Sequence, residues 1–130
     1  MIQPFQKKMI ASMPKAENHI HIEGSIPLYL ALELAEKNHV KLPVIRPAAP
    51  MDKGHERNIR LNGFMYCNRK INSVCIHEED YEAVVMELAK QAKVQNIIYQ
   101  ELFLDYPLNE ERGIPIEVVM DGYITRKSGP

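Results

Sequence analysis

The sequence predicts an α/β chain with two parallel strands, each followed by helical structure, and three observations carry that reading. A short alternating segment, residues 16–22, runs into a Leu/Ala-rich amphipathic stretch at 26–38. A β-branched and aromatic run, Ile97 to Leu104, follows a long apolar stripe at 79–94. Helix-spaced apolar residues then return after Pro115. Strands alternating with helical patterns point to a parallel sheet with covering helices.

Taken in order, residues 1–12 form an apolar and basic lead-in whose Phe5, Met9 and Ile10 either plug the floor of a larger fold or fray. Residues 16–22 alternate apolar and polar side chains as a half-buried strand does. Gly24 then supplies backbone freedom for a sharp exit, Ser25 a helix cap and Pro27 a first-turn proline. In the helix at 26–38, Leu28, Ala31, Leu32 and Ala35 recur at i, i+3, i+4 and i+7, so that face is expected in the core. From His39 to Arg57, Pro43, Pro47, Pro50 and Gly54 break every periodicity, which predicts an irregular excursion of the length that lids have.

A helix is expected over residues 61–71 and a longer one over 79–94, where Tyr81, Val84, Val85, Leu88, Ala89 and Ala92 form the buried stripe. Glu78, Glu79 and Asp80 at its start complement the positive end of the helix dipole. Ile97 to Leu104 suits a buried parallel strand, with Tyr99 packed inside it. Tyr106 to Gly113 reads as a loop, and Ile116, Val119, Met120 and Tyr123 as a last helix. No repeat or low-complexity segment splits the chain, so residues 1–130 are expected to form a single partial domain.

Composition excludes several function classes. A formal net charge of −1 gives no electrostatic case for nucleic acid or an anionic membrane. Lys7 and Lys8 are not followed by an apolar core, so no secretory signal is visible, and no stretch approaches the roughly 18 apolar residues of a membrane span. Cys67 and Cys75 lack a Cys-x-x-Cys spacing, which predicts free thiols in a reducing compartment, and the cytoplasm is the expected location.

The stretch that carries chemistry is Asn18-His19-Ile20-His21-Ile22-Glu23-Gly24-Ser25. On a strand His19 and His21 share one face while Ile20 and Ile22 share the other, so one face can bind and the other pack. Two residues along a strand span about 6.6 Å, close enough for each ring to bring a nitrogen within about 2.1 Å of one zinc ion. His39, His55 and His77 lie outside any strand-end context and read as surface or capping residues. Glu101, if buried in the second strand, requires a partner, and Met86 and Met120 fall on apolar helical stripes.

The longer string Met13-Pro14-Lys15-Ala16-Glu17-Asn18-His19-Ile20-His21-Ile22-Glu23-Gly24-Ser25-Ile26-Pro27 resembles the opening segment of the adenosine deaminase family, Pro-Lys-(Ala/Val)-Glu-Leu-His-x-His-Leu-(Glu/Asp)-Gly-(Ser/Ala), with Asn18 at the usual leucine. Leu61-Asn62-Gly63-Phe64 is similar to the family's Leu-x-x-Phe segment on the helix over the purine pocket. Glu78-Glu79-Asp80-Tyr81 resembles its Glu-Asp-(Tyr/Phe) helix start, and Asn96-Ile97-Ile98-Tyr99-Gln100-Glu101-Leu102 its second barrel strand. The resemblance covers residues 13–124 and only the N-terminal part of the family. It implies the N-terminal portion of a (β/α)8 TIM barrel. A complete barrel takes about 250 residues, so the 130 residues here hold about two barrel strands plus helices and leave open sheet edges that a protein partner would cover.

The resemblance further implies zinc-dependent hydrolytic deamination of adenosine or a related purine nucleoside. In such chemistry a bound Zn2+ lowers the pKa of its water toward about 7 and a carboxylic acid protonates the ring. By this likeness His19 and His21 match the first two zinc ligands, Glu23 matches the carboxylate that meets the ribose 5′-hydroxyl, and Leu61, Phe64 and Met65 line the substrate pocket. Phe103 stands where the family carries arginine, and Asn68 where a second pocket phenylalanine is expected. The family's His-Ala-Gly-Glu and Asp-Asp-Pro segments do not occur, so the one zinc site is incomplete and the chain alone is expected to be inactive, with no catalytic residue of its own. Two other readings share the pattern. One is a different metal-dependent amidohydrolase, such as a dihydroorotase or phosphotriesterase relative, although these lack the Glu-Gly-Ser-x-Pro continuation. The other is a non-catalytic remnant serving as a binding or interaction module. The Pro-Cys-x-x-Cys pattern of the cytidine deaminase type is missing.

Overall fold

The structure is a computed structural model that describes residues 2–42 and 66–124. The chain runs α1 (Pro4–Ser12), β1 (Lys15–His21), a single 3-10 turn (Glu23–Ser25), α2 (Leu28–Lys37), α3 (described over residues 66–72), α4 (Glu78–Val94), β2 (Ile97–Phe103), α5 (Tyr106–Glu110) and α6 (Ile116–Tyr123). Residues 43–57 of the excursion expected at 39–57, the first half of the helix at 61–71, and with them His55, Leu61, Phe64 and Met65, lie outside the described residues.

The two strands pair in parallel as an open two-stranded sheet. Glu17 pairs with Gln100 and Ile20 with Leu102, so β1 carries an extra residue between those pairs, and His19 within the bulge has φ 62°. The bulge switches the phase of the strand. Glu17 before it and Ile20 after it both line the groove against Leu88 and Ala92 of α4.

A two-stranded sheet alone is marginally stable, so the helices hold the fold. Leu30, Ala31 and Leu34 of α2, Tyr81 and Val84 of α4 and Val119 of α6 meet in one core with Ile22 and Ile26. Burying an aliphatic side chain as fully as Val84 or Val119 contributes about 1.5–3 kcal/mol each. α6 approaches α4 closely at Gly122, where an added Cβ would sit 2.5 Å from the Glu78 carbonyl oxygen.

α4 begins on a reciprocal cap in which His77 is the N-cap and Asp80 its partner. Asp80 is fully buried, and its carboxylate accepts from the backbone N–H groups of Ile76 and His77 at 2.9 Å and from Lys37 Nζ and Asn38 Nδ2 at 2.7 Å. Burial by itself would raise its pKa, but the donors from His77, Lys37, Ile76 and Asn38 outweigh it and hold the carboxyl below its ordinary value.

Several expectations are corrected. The face Leu28, Ala31, Leu32, Ala35 is half right: α2 buries Leu30, Ala31, Leu34 and Ala35, while Leu28 and Leu32 are exposed. Leucines at alternate positions offered two faces, and packing against α4 chose between them. β2 is parallel as expected but largely exposed, Ile98, Tyr99 and Phe103 included, because among the described residues helices cover only one side of the sheet. Glu101 is likewise exposed and accepts from Tyr99 Oη at 2.9 Å. The expected loop at 106–113 contains α5.

At the entrance to α2 the cap is Pro27, without a side-chain hydrogen bond, and Ser25 Oγ instead donates to the His21 carbonyl at 2.8 Å. Gly24 has no left-handed φ, so the exit from β1 does not depend on glycine. The N-terminal lead-in is helical rather than irregular. It is a regular helix with no buried residue, tied below the strands by Asn96 Nδ2 donating to the Ser12 carbonyl at 2.7 Å.

Candidate functional site

The C-terminal ends of parallel strands are where α/β folds assemble their sites, and the two histidines lie there. His21 ends β1 opposite Phe103, the last residue of β2. The His19 and His21 rings stand 5.2 Å apart between centroids in an edge-to-face arrangement. Phe103 backs both, at 4.3 Å from His19 and 5.6 Å from His21. The arginine of the family pattern is thus replaced by an aromatic wall behind the paired imidazoles. His19 is held in the left-handed region, which is sparsely occupied by residues other than glycine and less rare for histidine than for most. Strain of this kind is characteristic of ligand-binding positions.

Asp105, two residues past β2, brings Oδ2 to 2.8 Å from His21 Nδ1. Its own N–H donates to Glu23 Oε1 at 3.1 Å, which ties the loop after β2 to the turn after β1. Glu23 is fully buried and its second oxygen, Oε2, has no partner among the described residues. Burial raises the Glu23 pKa, with the Asp105 charge adding to it and donors from the backbone and the more distant Tyr123 hydroxyl opposing it.

Behind Glu23 the polar groups continue inward. Tyr123 meets Tyr81 edge-to-face at 5.5 Å, Tyr81 Oη donates to Asn109 Oδ1 at 2.8 Å, and Arg112 donates to Asn109 and to the carbonyls of Asn72 and Cys75. Burial pushes the Tyr81 hydroxyl and the Cys75 thiol each up to about 12, so neither ionises near neutrality. Both cysteines are free.

The structure therefore brings His19, His21 and Glu23 to one end of the sheet, while Leu61, Phe64 and Met65 lie outside the described residues. His39 is exposed, and His77 caps α4. Sequence reasoning missed Asp105 and Tyr123. The signal available for Asp105 was an acidic residue just past the second parallel strand, at the same sheet end as His-x-His. Tyr123 offers in the sequence only its place on an apolar stripe.

The donor chemistry fits half of a zinc centre. Two imidazoles stand together on an open face, whereas a catalytic zinc takes about three protein ligands plus water. Among the described residues no group of three or more His, Cys, Asp or Glu side chains is placed to hold a metal ion.

A family model described as Adenosine deaminase matches residues 14–128. The chain belongs to the adenosine deaminase family. Among curated relatives, the adenine deaminase of Zymomonas mobilis subsp. mobilis is 38% identical over 117 residues, which cover 90% of this chain and 34% of the relative. That of Cupriavidus pinatubonensis is 35% identical over 113 residues, covering 87% and 32%. The crystal structure of adenine deaminase from Arthrobacter aurescens matches with a TM-score of 0.69 over 85% of this chain and 33% of that one, at 24% identity, which shows the shared fold.

The chain thus spans about a third of the length of the relatives it matches. Its fold is that of a partial TIM-barrel amidohydrolase. The relatives named here are adenine deaminases, so membership of the family does not single out adenosine. Among the described residues no helix is long and apolar enough to cross a membrane.

Proposed function

We propose that this chain supplies the paired-histidine part of a zinc site in a hydrolase that removes the 6-amino group of a purine, with adenine favoured over adenosine. The observation that carries the proposal is the apposition of the His19 and His21 rings, 5.2 Å apart, at the C-terminal end of β1. Zinc, when bound, supplies an activated water. His19 and His21 are the residues that would hold the ion, and Phe103 limits the space behind them. Residues 1–130 act in this reading as one partial domain, and the pocket roles of Leu61, Phe64 and Met65 follow from the likeness of their segment to the family's pocket helix.

Two things favour the free base. The relatives at 38% and 35% identity are named adenine deaminases. Glu23, the expected ribose contact, is fully buried and receives the Asp105 N–H. A free base has no 5′-hydroxyl to be met, and Glu23 serves instead to join the two strand-end loops.

The test is a chimera in which residues 14–124 replace the matching segment of the Zymomonas mobilis relative. Adenine hydrolysis is followed by ultraviolet absorbance and bound zinc by elemental analysis. The expected result is a zinc-loaded protein that deaminates adenine in preference to adenosine and loses zinc and activity in His19→Ala and His21→Ala. The 130-residue chain alone, given zinc, is expected to turn over neither substrate. A folded, zinc-loaded chimera that leaves adenine untouched, or whose zinc is indifferent to both substitutions, contradicts the proposal.

A further inference from the structure

We infer that Asp105 is a positioning residue for the metal-binding histidine His21. Its carboxylate accepts the Nδ1–H of the imidazole and so leaves Nε2 as the free nitrogen on the side of the ring away from the loop. This inference rests on the zinc reading above and assigns a role to a residue outside the paired-histidine motif.

The geometry restrains the ring from three directions. Asp105 Oδ2 lies 2.8 Å from Nδ1. The Phe103 ring stacks on the imidazole at 5.6 Å with an interplanar angle of 25°. The His19 ring stands edge-on at 5.2 Å. Both partners in the hydrogen bond are anchored through the main chain. The Asp105 N–H is held by Glu23 Oε1, the His21 carbonyl accepts Ser25 Oγ, and the next residue, Ile22, donates its N–H to the Phe103 carbonyl at 3.1 Å.

An exposed carboxylate–imidazole contact between two free side chains contributes little, because ordering both costs entropy. Here the His21 and Asp105 side chains are 42% and 38% exposed, yet the main-chain anchors have already fixed where they start. What the contact supplies is ring orientation and tautomer. A metal-ligating histidine generally gives its second ring N–H to a carboxylate, a carbonyl or water, and losing that partner typically weakens metal affinity about 10–100-fold. Among the described residues no carboxylate bonds the His19 ring, and its place is set by the bulge instead.

The experiment uses the 130-residue chain labelled with 15N-histidine, in long-range proton–nitrogen correlation spectra, together with Zn2+ titration by calorimetry. In the metal-free chain, His21 is expected in the Nδ1–H form when neutral. Asp105→Ala is expected to release the ring into a mixture of both tautomers and to weaken zinc binding by about 10–100-fold. Asp105→Asn, whose side-chain oxygen still accepts the same hydrogen, is expected to restore the tautomer and most of the affinity. That rescue separates orientation of the ring from general loss of structure.

An Nε2–H form of His21 in the unsubstituted chain overturns the inference without any variant. So does Asp105→Ala with unchanged tautomer and unchanged zinc affinity. Failure of the unsubstituted chain to bind zinc through its histidines overturns the zinc reading, and this role for Asp105 with it. Zinc bound equally by the unsubstituted chain and Asp105→Ala overturns the Asp105 assignment alone.

Discussion

At the scale of single residues, two side chains carry more than their neighbours do, for opposite reasons. Asp80 is a buried charge with four donors, and Asp80→Ala leaves the Ile76 and His77 N–H groups and the Asn38 amide without their acceptor. The expected loss is about 3 kcal/mol in urea unfolding, with Lys37, itself half exposed, contributing little of it. The sign with pH follows from the direction of the shift. The folded-state pKa of Asp80 lies below the ordinary carboxylate value, so its stabilisation is present above the unfolded pKa and disappears as pH falls through the lowered one. Stability of the Asp80→Ala variant is therefore expected to converge with that of the parent chain in acid. His19 is the reverse case, a side chain that costs the fold something. Its φ of 62° suits glycine, so His19→Gly is expected to raise stability by up to about 1 kcal/mol in thermal unfolding while weakening zinc binding.

At the scale of elements, α4 holds the molecule together, and α6 reaches it only because position 122 has no side chain. Gly122→Ala places a methyl against the Glu78 carbonyl and the Tyr81 Cβ, at 2.5 and 2.6 Å. It is expected to cost about 1–3 kcal/mol by denaturant unfolding and to separate the helices. α4, β2 and α6 were legible because each has one dominant period and clear turn residues on both sides. The face of α2 was not, because Leu28, Leu30, Leu32 and Leu34 fit two stripes equally and only tertiary packing selects one. The bulge in β1 has no sequence signature, although the His-x-His spacing it serves was plain. Asp105 carries no local signal, because its importance comes from a side-chain contact with His21, 84 residues away along the chain.

At the scale of the whole molecule, helices cover one side of the sheet among the described residues, and the other side carries Tyr99 and Phe103 as well as the histidines. Adding Ile98, which is 74% exposed, the apolar strand surface is a site for unwanted association. The isolated chain is expected to bind a hydrophobic dye and to grow in apparent mass with concentration in light scattering, and Ile98→Lys to reduce both. A monodisperse, dye-silent chain contradicts that expectation.

The function proposed for this chain depends most on two imidazoles acting together on one cation. X-ray absorption at the zinc edge of the zinc-loaded 130-residue chain tests this directly. The expected result is two imidazole nitrogens at about 2.0–2.1 Å from the metal, both lost in the His19→Ala, His21→Ala double variant. Zinc surrounded by sulfur or by oxygen alone, or the same spectrum from the double variant, contradicts it.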